Sequence, residues 1–226
     1  MKEYWAIPPE HNAEFVAARE DVLRVYQRPL DSARPVICMD ETSKQLMGET
    51  RVSLPVAPGQ PQREDDEYER HGVANLFLFC EPLAGWREIQ VTERRTRIDW
   101  AIAMRELSDQ HYPTAERITV VLDNLNTHGP ASFYEAFTPE EARRLTERFE
   151  FHYTPKHGSW LNMAEIEFSV LSRQCLNQRI GEAETLRNKV RAWTQQRNAI
   201  SKNIDWQFTT ADARINLKRL YPVIQT

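Results

Sequence analysis

Residues 118–128 read Ile-Thr-Val-Val-Leu-Asp-Asn-Leu-Asn-Thr-His, an uncharged run of aliphatic and β-branched residues that ends on Asp123. Such a run is typical of a buried strand, and the Asn residues after it favour a turn. Asp123 is therefore predicted at the carboxyl end of a central strand. In an open α/β sheet, ligands bind at this edge because the loops that leave the strands converge there. We therefore expect Asp123 to lie in a binding site.

A second stretch has the same form. Residues 34–41 read Arg-Pro-Val-Ile-Cys-Met-Asp-Glu, which predicts a strand that ends at Asp40. Two strands that bring two carboxylates to one sheet edge are typical of a metal site, since Mg²⁺ prefers carboxylate and phosphate oxygens as ligands. A third carboxylate would complete the site. The candidate is Glu165, on a helix predicted from Ser159 to Arg179.

Each acid also has a structural interpretation. An Asp at a strand end is common as a turn or cap residue, and a Glu in a helix usually lies on a solvated face. Glu167 follows Glu165 by two positions, so their side chains point about 200° apart and cannot serve one metal site. The helical pattern does not decide between them, and we expect Glu167→Gln to cost little beyond a surface substitution. His128 also has two interpretations. It could orient a substrate or Asn124, or it could be an incidental loop residue.

Composition limits the class of protein. The 226 residues, 41% of them hydrophobic, suffice for one main domain with a sizeable core. No apolar run approaches the ~20 residues of a membrane span, and the first residues lack the apolar core of a signal peptide, so we expect a cytoplasmic protein without a membrane partner. The separated Cys38, Cys80 and Cys175 predict buried free thiols. The net charge of −4 argues against a dedicated nucleic-acid-binding domain, because such domains usually carry an excess of basic residues.

The remaining patterns predict alternating strands and helices. Predicted helices begin after the cap residues Asn12, Thr96, Thr138 and Thr209 and also span 182–199, and predicted strands span 73–80, 87–92 and 149–153. Residues 44–48 are predicted as a short extension or hairpin, and the Pro-rich, charged stretch 55–72 as a long exposed loop. This order predicts an α/β domain with a mixed five-stranded sheet and flanking helices, in which later strands join an antiparallel meander through helical crossovers.

Three motifs together resemble the catalytic domain of DDE transposases of the mariner superfamily, in the bacterial insertion-sequence branch. The motifs are Cys-Met-Asp40-Glu41, Leu-Asp123-Asn-Leu-Asn-Thr-His128 and Tyr-Thr-Pro-Lys-His-Gly-Ser-Trp-Leu-Asn162-Met-Ala-Glu165. The third is the most specific, and the similarity runs from about Tyr4 to Tyr221. The resemblance implies a ribonuclease H-like fold. We divide the chain into an amino-terminal helical segment at 1–30, the ribonuclease H-like catalytic domain at 31–200 and a carboxy-terminal helical tail at 201–226.

The same resemblance implies an activity and its residues. Asp40, Asp123 and Glu165 would form the catalytic, metal-binding triad, with two ions of Mg²⁺ or Mn²⁺ as cofactors. The implied reaction is hydrolysis of DNA at transposon ends, followed by attack of the freed 3′-hydroxyl on target DNA. A homodimer at the bacterial nucleoid is the implied assembly.

Other residues would support the triad or contact DNA. The supporting residues are Asn124, His128 and Asn162. Local basic groups would contact phosphates without reading sequence, and they are Arg94, Arg95, Arg97, Lys156 and His157. For a further basic set at Arg214, Lys218 and Arg219, solvated surface is an equally good interpretation.

Two features depart from the family pattern. The interval 124–164 between the last two acids is longer than usual, with the excess assigned to the helix at 138–148. Family members normally begin with a helix-turn-helix region that recognises transposon ends, and residues 1–39 leave no room for one. The alternatives are therefore an active enzyme whose helix-turn-helix is encoded in a separate frame, a catalytically silent remnant that binds DNA or a partner transposase, and a ribonuclease H-like nuclease with another nucleic-acid substrate.

Overall fold

A computed structural model of the protein describes residues 12–51, 57–60 and 66–221. The helices are α1 (Ala13–Tyr26), α2 (Arg97–Glu106), α3 (Pro130–Ala136), α4 (Pro139–Arg148), α5 (Ala164–Leu171), α6 (Ala183–Ile200) and α7 (Thr210–Asn216). The strands are β1 (Val36–Glu49), β2 (Tyr68–Glu81), β3 (Trp86–Thr92), β4 (Ile118–Leu122) and β5 (Phe149–Tyr153). Within the described residues, no helix combines the length and the apolar composition that a membrane span requires.

The five strands form one mixed sheet in the order β3-β2-β1-β4-β5. Strands β1, β2 and β3 pair antiparallel as a meander, whereas β4 and β5 extend the sheet from β1 in parallel. Parallel neighbours need crossover connections, and α2 precedes β4 while α3 and α4 precede β5. The predicted mixed five-stranded sheet with flanking helices is confirmed.

Helices cover both faces of the sheet. On one side, here called the α5 face, α1, α5 and α6 share a core with Cys38 of β1 and Val121 of β4. On the other side, here called the α2 face, α2, α3 and α4 share a core with Ile37 and Met39 of β1 and Val120 of β4. Each central strand therefore buries alternate side chains on opposite faces.

The predicted helix starts are confirmed where cap residues signalled them. In each case the side chain of the cap accepts a hydrogen bond from the backbone N–H three residues later, and these caps are Asn12, Thr96, Thr138 and Thr209. Helix α6 and strand β5 also match their predicted ranges within one residue at each end. Helix α3 was not predicted, since it follows Gly129 without a side-chain cap.

The predicted helix at 159–179 is wrong in its extent. A 3-10 turn at Ser159–Leu161 precedes α5, and a π-helical turn at Ser172–Leu176 ends the segment. Asn162 has an extended backbone because its side chain bonds to the carbonyl of Met39 and to the N–H of Ala164. These bonds to neighbouring backbone compete with helix formation.

Strand β1 is longer than predicted. It runs through Asp40 to Glu49, so the extension predicted at 44–48 is confirmed, but Tyr68–Gly72, predicted as loop, belongs to β2. Beyond Cys38, β1 pairs with β2 and not with β4. In the two-stranded arm that results, residues 68–73 of β2 are exposed, whereas residues 74–80 of β2 are buried. Gly72 has a φ of 96° at a register shift, which marks a β-bulge. Of the predicted loop, 55–56 and 61–65 lie outside the described residues.

The three cysteines are buried and free, as predicted. Cys38 and Cys80 lie opposite each other on β1 and β2, and the hydroxyl of Tyr26 lies 3.5 Å from the Cys38 Sγ. Their packing with apolar neighbours makes them part of the core on the α5 face.

Candidate active site

Two of the predicted acids lie side by side at the carboxyl edge of the parallel strands. Strands β1 and β4 pair with Cys38 opposite Val121, so the residues two positions later, Asp40 and Asp123, are level with each other. Because side chains alternate along a strand, both acids project to the α5 face, as Cys38 and Val121 do. The prediction that Asp40 ends its strand is wrong, since β1 continues to Glu49. The pairing of β1 with β4 ends two residues before Asp40, at Cys38.

Glu165 joins the two acids from the first turn of α5. Asn162, which is buried, donates from its Nδ2 to the carbonyl oxygen of Met39 at 2.8 Å. Its Oδ1 accepts the N–H of Ala164 at 3.1 Å. These two hydrogen bonds attach the start of α5 to the residue that precedes Asp40. The predicted acids lie close enough at this sheet edge for the charges of Asp123 and Glu165 to raise the pKa of Asp40, and Asn162 holds the third motif against the first.

The three carboxylates form a cluster of negative charge. Burial raises the pKa of Asp40 to about 7, the charges of Glu41, Glu165 and Asp123 add to the increase, and the backbone N–H of Glu41 opposes it. Among the described residues, His128 is the one basic side chain at ion-pair distance from Asp40, Asp123 or Glu165. A set of oxygen ligands without Lys or Arg to neutralise it suits a hard divalent cation.

His128 is buried against this cluster. Its Nδ1 lies 2.6 Å from Asp123 Oδ1, and its Nε2 lies 3.2 Å from Glu41 Oε2 in a contact without hydrogen-bond alignment. Burial lowers the pKa of His128, but the two carboxylates outweigh burial and raise the pKa to about 9. Ligand atoms of His128, Asp123 and Glu41 lie within 4.8 Å of one another, a spacing that a metal ion could bridge. We interpret the group as an ion-paired imidazole instead, because each ring nitrogen already faces a carboxylate.

Glu41 and Glu167 are the residues whose roles the sequence did not reveal. Glu41 projects to the α2 face, and its one sequence signal is its place beside Asp40. Glu167 is fully buried, and its Oε1 lies 2.8 Å from Arg87 and 3.1 Å from Arg197. The prediction that Glu167 is a surface position is therefore wrong. Burial raises the pKa of Glu167, but its hydrogen bonds to the two arginines outweigh burial and lower the pKa below its usual range.

The Glu167 ion pairs also set the orientation of α5. Arg87 belongs to β3 and Arg197 to α6, so the two contacts join the sheet and both helices. With Glu167 held in the core, Glu165 must project about 200° away. Glu165 is accordingly exposed at the sheet edge.

A cleft opens beside Asp123 between the loops that follow β4 and β5. It is lined by Asp123, Asn124, Leu125, Thr154, Pro155, Lys156, His157 and Ser159. Lys156 and His157 are exposed in a tight turn, where the N–H of Gly158 donates to the carbonyl of Pro155 at 2.8 Å. A β-carbon at Gly158 would lie 2.5 Å from Pro155 Cγ, so this turn requires glycine. The structure thus brings two predicted basic residues and Asn124 to the edge that carries Asp123.

The other predicted basic residues lie apart from this cleft. Arg94 and Arg95 are exposed in the loop after β3. Strand β3 is parallel to β1, through two antiparallel pairings, so this loop lies at the same end of the sheet as Asp40 but beyond β2. Arg97 is paired with Glu135 on α3. In the carboxy-terminal set, Arg214 is paired with Glu20 of α1.

The sheet order and the carboxylate cluster define the class of protein as a ribonuclease H-like domain with a candidate metal-dependent nuclease centre. Residues 35–187, which carry all three acids, match the DDE superfamily endonuclease family. The chain belongs to that family. No curated protein sequence matches the chain.

Solved structures of Mos1, a mariner transposase, share the fold. A Mos1 mariner paired-end complex with Mn is 16% identical, with a TM-score of 0.53 over 97% of this chain and 63% of that one. A Mos1 strand transfer complex is 14% identical, with a TM-score of 0.55 over 86% of this chain and 58% of that one. A Mos1 paired-end complex with Mg is 14% identical, with a TM-score of 0.53 over 99% of this chain and 67% of that one. The chain thus spans about three fifths of the first Mos1 chains, and the ribonuclease H-like fold is confirmed.

Proposed function

We propose that this chain is a transposase catalytic domain, of the bacterial insertion-sequence branch, that cleaves DNA at transposon ends and transfers the cut strand to target DNA. The observation that carries the proposal is the carboxylate cluster. Asp40, Asp123 and Glu165 come from three separate elements to one sheet edge, where no described Lys or Arg neutralises them. The family of DDE endonucleases supports the reaction class, and the Mos1 complexes with transposon ends and in strand transfer support the substrate.

In this proposal the three acids bind Mg²⁺ or Mn²⁺, as two ions. Bound there, the ions would supply activation of the attacking oxygen and stabilisation of the leaving oxygen in an in-line phosphoryl transfer. The chain supplies position: paired strands hold Asp40 and Asp123, and Asn162 holds the first turn of α5 that carries Glu165. Mos1 was solved with Mn and with Mg, which supports the choice of metal.

DNA would enter along the cleft beside Asp123. Lys156 and His157 line this cleft and are exposed, so they can contact backbone phosphates without reading sequence. Arg94 and Arg95, at the same end of the sheet, would extend the contact. The net charge of −4 predicts weak binding by these groups alone. We therefore propose a homodimer that acts on paired ends at the bacterial nucleoid, with end recognition by a helix-turn-helix segment or partner.

A plasmid that carries the DNA flanking the gene tests this function. We expect the wild-type protein to nick it with Mg²⁺ or Mn²⁺ and not with a chelator. Asp123→Asn should reduce nicking to background with an unchanged circular dichroism spectrum, because one oxygen ligand is lost. Asp31→Asn, an exposed acid away from the cluster, is the matched control and should stay active.

Two results would overturn the proposal. Cleavage that continues in a chelator would show that the reaction does not require a metal. Full activity of Asp123→Asn would show that Asp123 has no catalytic role. DNA binding without any cleavage, in the presence of a helix-turn-helix partner as well as without it, would instead identify the catalytically silent remnant.

A further inference from the structure

The loop after β4 holds His128 between the two strands that carry the acids. The His128 side chain is 1% exposed, and its ring stacks on Trp100 of α2 with ring centroids 5.7 Å apart. The backbone of His128 is also fixed, because its N–H donates to the carbonyl of Leu125 and its own carbonyl accepts from the Tyr153 hydroxyl at 3.0 Å. The imidazole is therefore held in one orientation by packing that is independent of the acids.

This orientation decides how Asp123 presents its carboxylate. Asp123 Oδ1 lies 2.6 Å from His128 Nδ1 and also accepts the N–H of Leu125 at 3.3 Å. Asp123 Oδ2 has no hydrogen-bond partner in the described part of the chain. The carboxylate is partly exposed and lines the cleft. One oxygen is thus committed to the protein, and the other is left for a ligand.

Glu41 anchors the other side of the imidazole. Its side chain is 5% exposed and its Oε2 lies 3.2 Å from His128 Nε2. A buried carboxylate is costly without a cationic or hydrogen-bonding neighbour, and no other described side chain supplies one to Oε2. Because Glu41 follows Asp40 on β1, this contact connects the strand of the first acid to the loop of the second.

We propose that His128 is a positioning residue that orients the Asp123 carboxylate for metal binding, with Glu41 as its anchor. This inference rests on the proposed function, since it assigns a partner to one of the proposed metal ligands. Outer partners that orient a metal ligand typically change metal affinity by about 10–100-fold when they are removed. Loss of His128 should have an effect of that size without removing any ligand.

Calorimetric titration of Mn²⁺ into the full chain tests the inference with two His128 variants. An Asn amide nitrogen takes the place of Nδ1, so His128→Asn keeps a donor to Asp123. A Gln amide nitrogen takes the place of Nε2, so His128→Gln keeps a donor toward Glu41 and loses the one to Asp123. We expect His128→Gln to bind Mn²⁺ about 10–100-fold more weakly than the wild-type protein. His128→Asn should retain more of the affinity, although both variants lose one contact.

Two further variants separate the possible failures. Tyr153→Phe removes a tether of the same loop but leaves the imidazole, and it should bind Mn²⁺ like the wild-type protein. Asp123→Asn removes the ligand itself. If Asp123→Asn binds Mn²⁺ as tightly as the wild-type protein, the proposed metal site fails. If Asp123→Asn loses binding while His128→Gln does not, the positioning role alone is overturned. Equal losses in His128→Gln, His128→Asn and Tyr153→Phe would also overturn it, because loop order would then explain the effect.

Discussion

Glu165 and Glu167 lie two residues apart on α5, yet their surroundings are opposite. Glu167 is buried, and its carboxylate is neutralised by Arg87 and Arg197. Glu165 is exposed, with no ion pair to any described basic residue, and its charge adds to the raised pKa of Asp40. One helix therefore carries an acid that joins three elements of the fold and an acid that completes a carboxylate cluster.

The difference shows how the protein assigns roles to its acids. Where a carboxylate is enclosed by arginines, its negative charge is satisfied within the fold and contributes to packing. At the sheet edge, Asp40, Asp123 and Glu165 approach one another without arginines. Among the described basic residues only His128 pairs with one of them, Asp123, so the repulsion on Asp40 and Glu165 is not neutralised within the fold. This contrast leads to predictions about stability and about metal binding.

The largest expected change in stability comes from Glu167→Gln. Removal of one partner of a buried ion pair leaves the other charge unsatisfied, which typically costs about 3–5 kcal/mol. Arg87 and Arg197 would both lose their counter-charge. Urea denaturation should show the loss as a lower free energy of unfolding, or as failure to fold.

Glu165→Gln is the matched control for this variant, because the same change is made on the same helix at an exposed position. It should change the free energy of unfolding by less than about 0.5 kcal/mol. Equal losses in the two variants would show that Glu167 is not the anchor of α5.

The sequence predicted the parts of this contrast that depend on local patterns. The uncharged run before Asp123 and the motif around Asn162 identified two acids, and the strand pattern placed Asp40 at the correct sheet edge. The role of Glu167 could not be predicted, because its partners lie 80 and 30 residues away in the chain. A helical pattern does not show which flank of a helix meets arginines from two other elements.

The course of β1 beyond Asp40 was hidden for a different reason. Residues 41–45 are polar, which usually indicates a loop, but here they pair with β2, whose residues 74–77 opposite them are buried. The sequence signal of a strand is an alternation of apolar residues, and residues 41–45 lack it because the apolar residues of this pairing lie on β2. The contact of Glu41 with His128 could not be predicted either, since it joins a residue of β1 to a residue of the loop after β4, 87 positions later in the chain.

A smaller effect is expected from Asp40→Asn in protein freed of metal. The pKa of Asp40 is raised to about 7 from a usual value of 3.8, so its ionised form destabilises the folded state above pH 7. Asp40→Asn should therefore raise the free energy of unfolding at pH 8, on the order of 1–3 kcal/mol. The gain should shrink as the pH falls from 7 toward 4, because folded Asp40 then takes up a proton.

Denaturation at pH 8 and pH 5 in a chelator measures this difference. Glu116→Gln, an exposed acid, is the control and should show no comparable dependence on pH. If Asp40→Asn were less stable than the wild-type protein at pH 8, the carboxylate cluster would not be repulsive.

We propose that Asp40, Asp123 and Glu165, and not Glu167, bind the catalytic metal. Calorimetric titration of Mn²⁺ into Glu165→Gln and Glu167→Gln, at a temperature where both are folded, tests it most directly. We predict that Glu165→Gln loses the binding, whereas folded Glu167→Gln retains it, because Glu167→Gln removes no ligand and Asn162 still holds the first turn of α5. Wild-type affinity in Glu165→Gln would contradict the account.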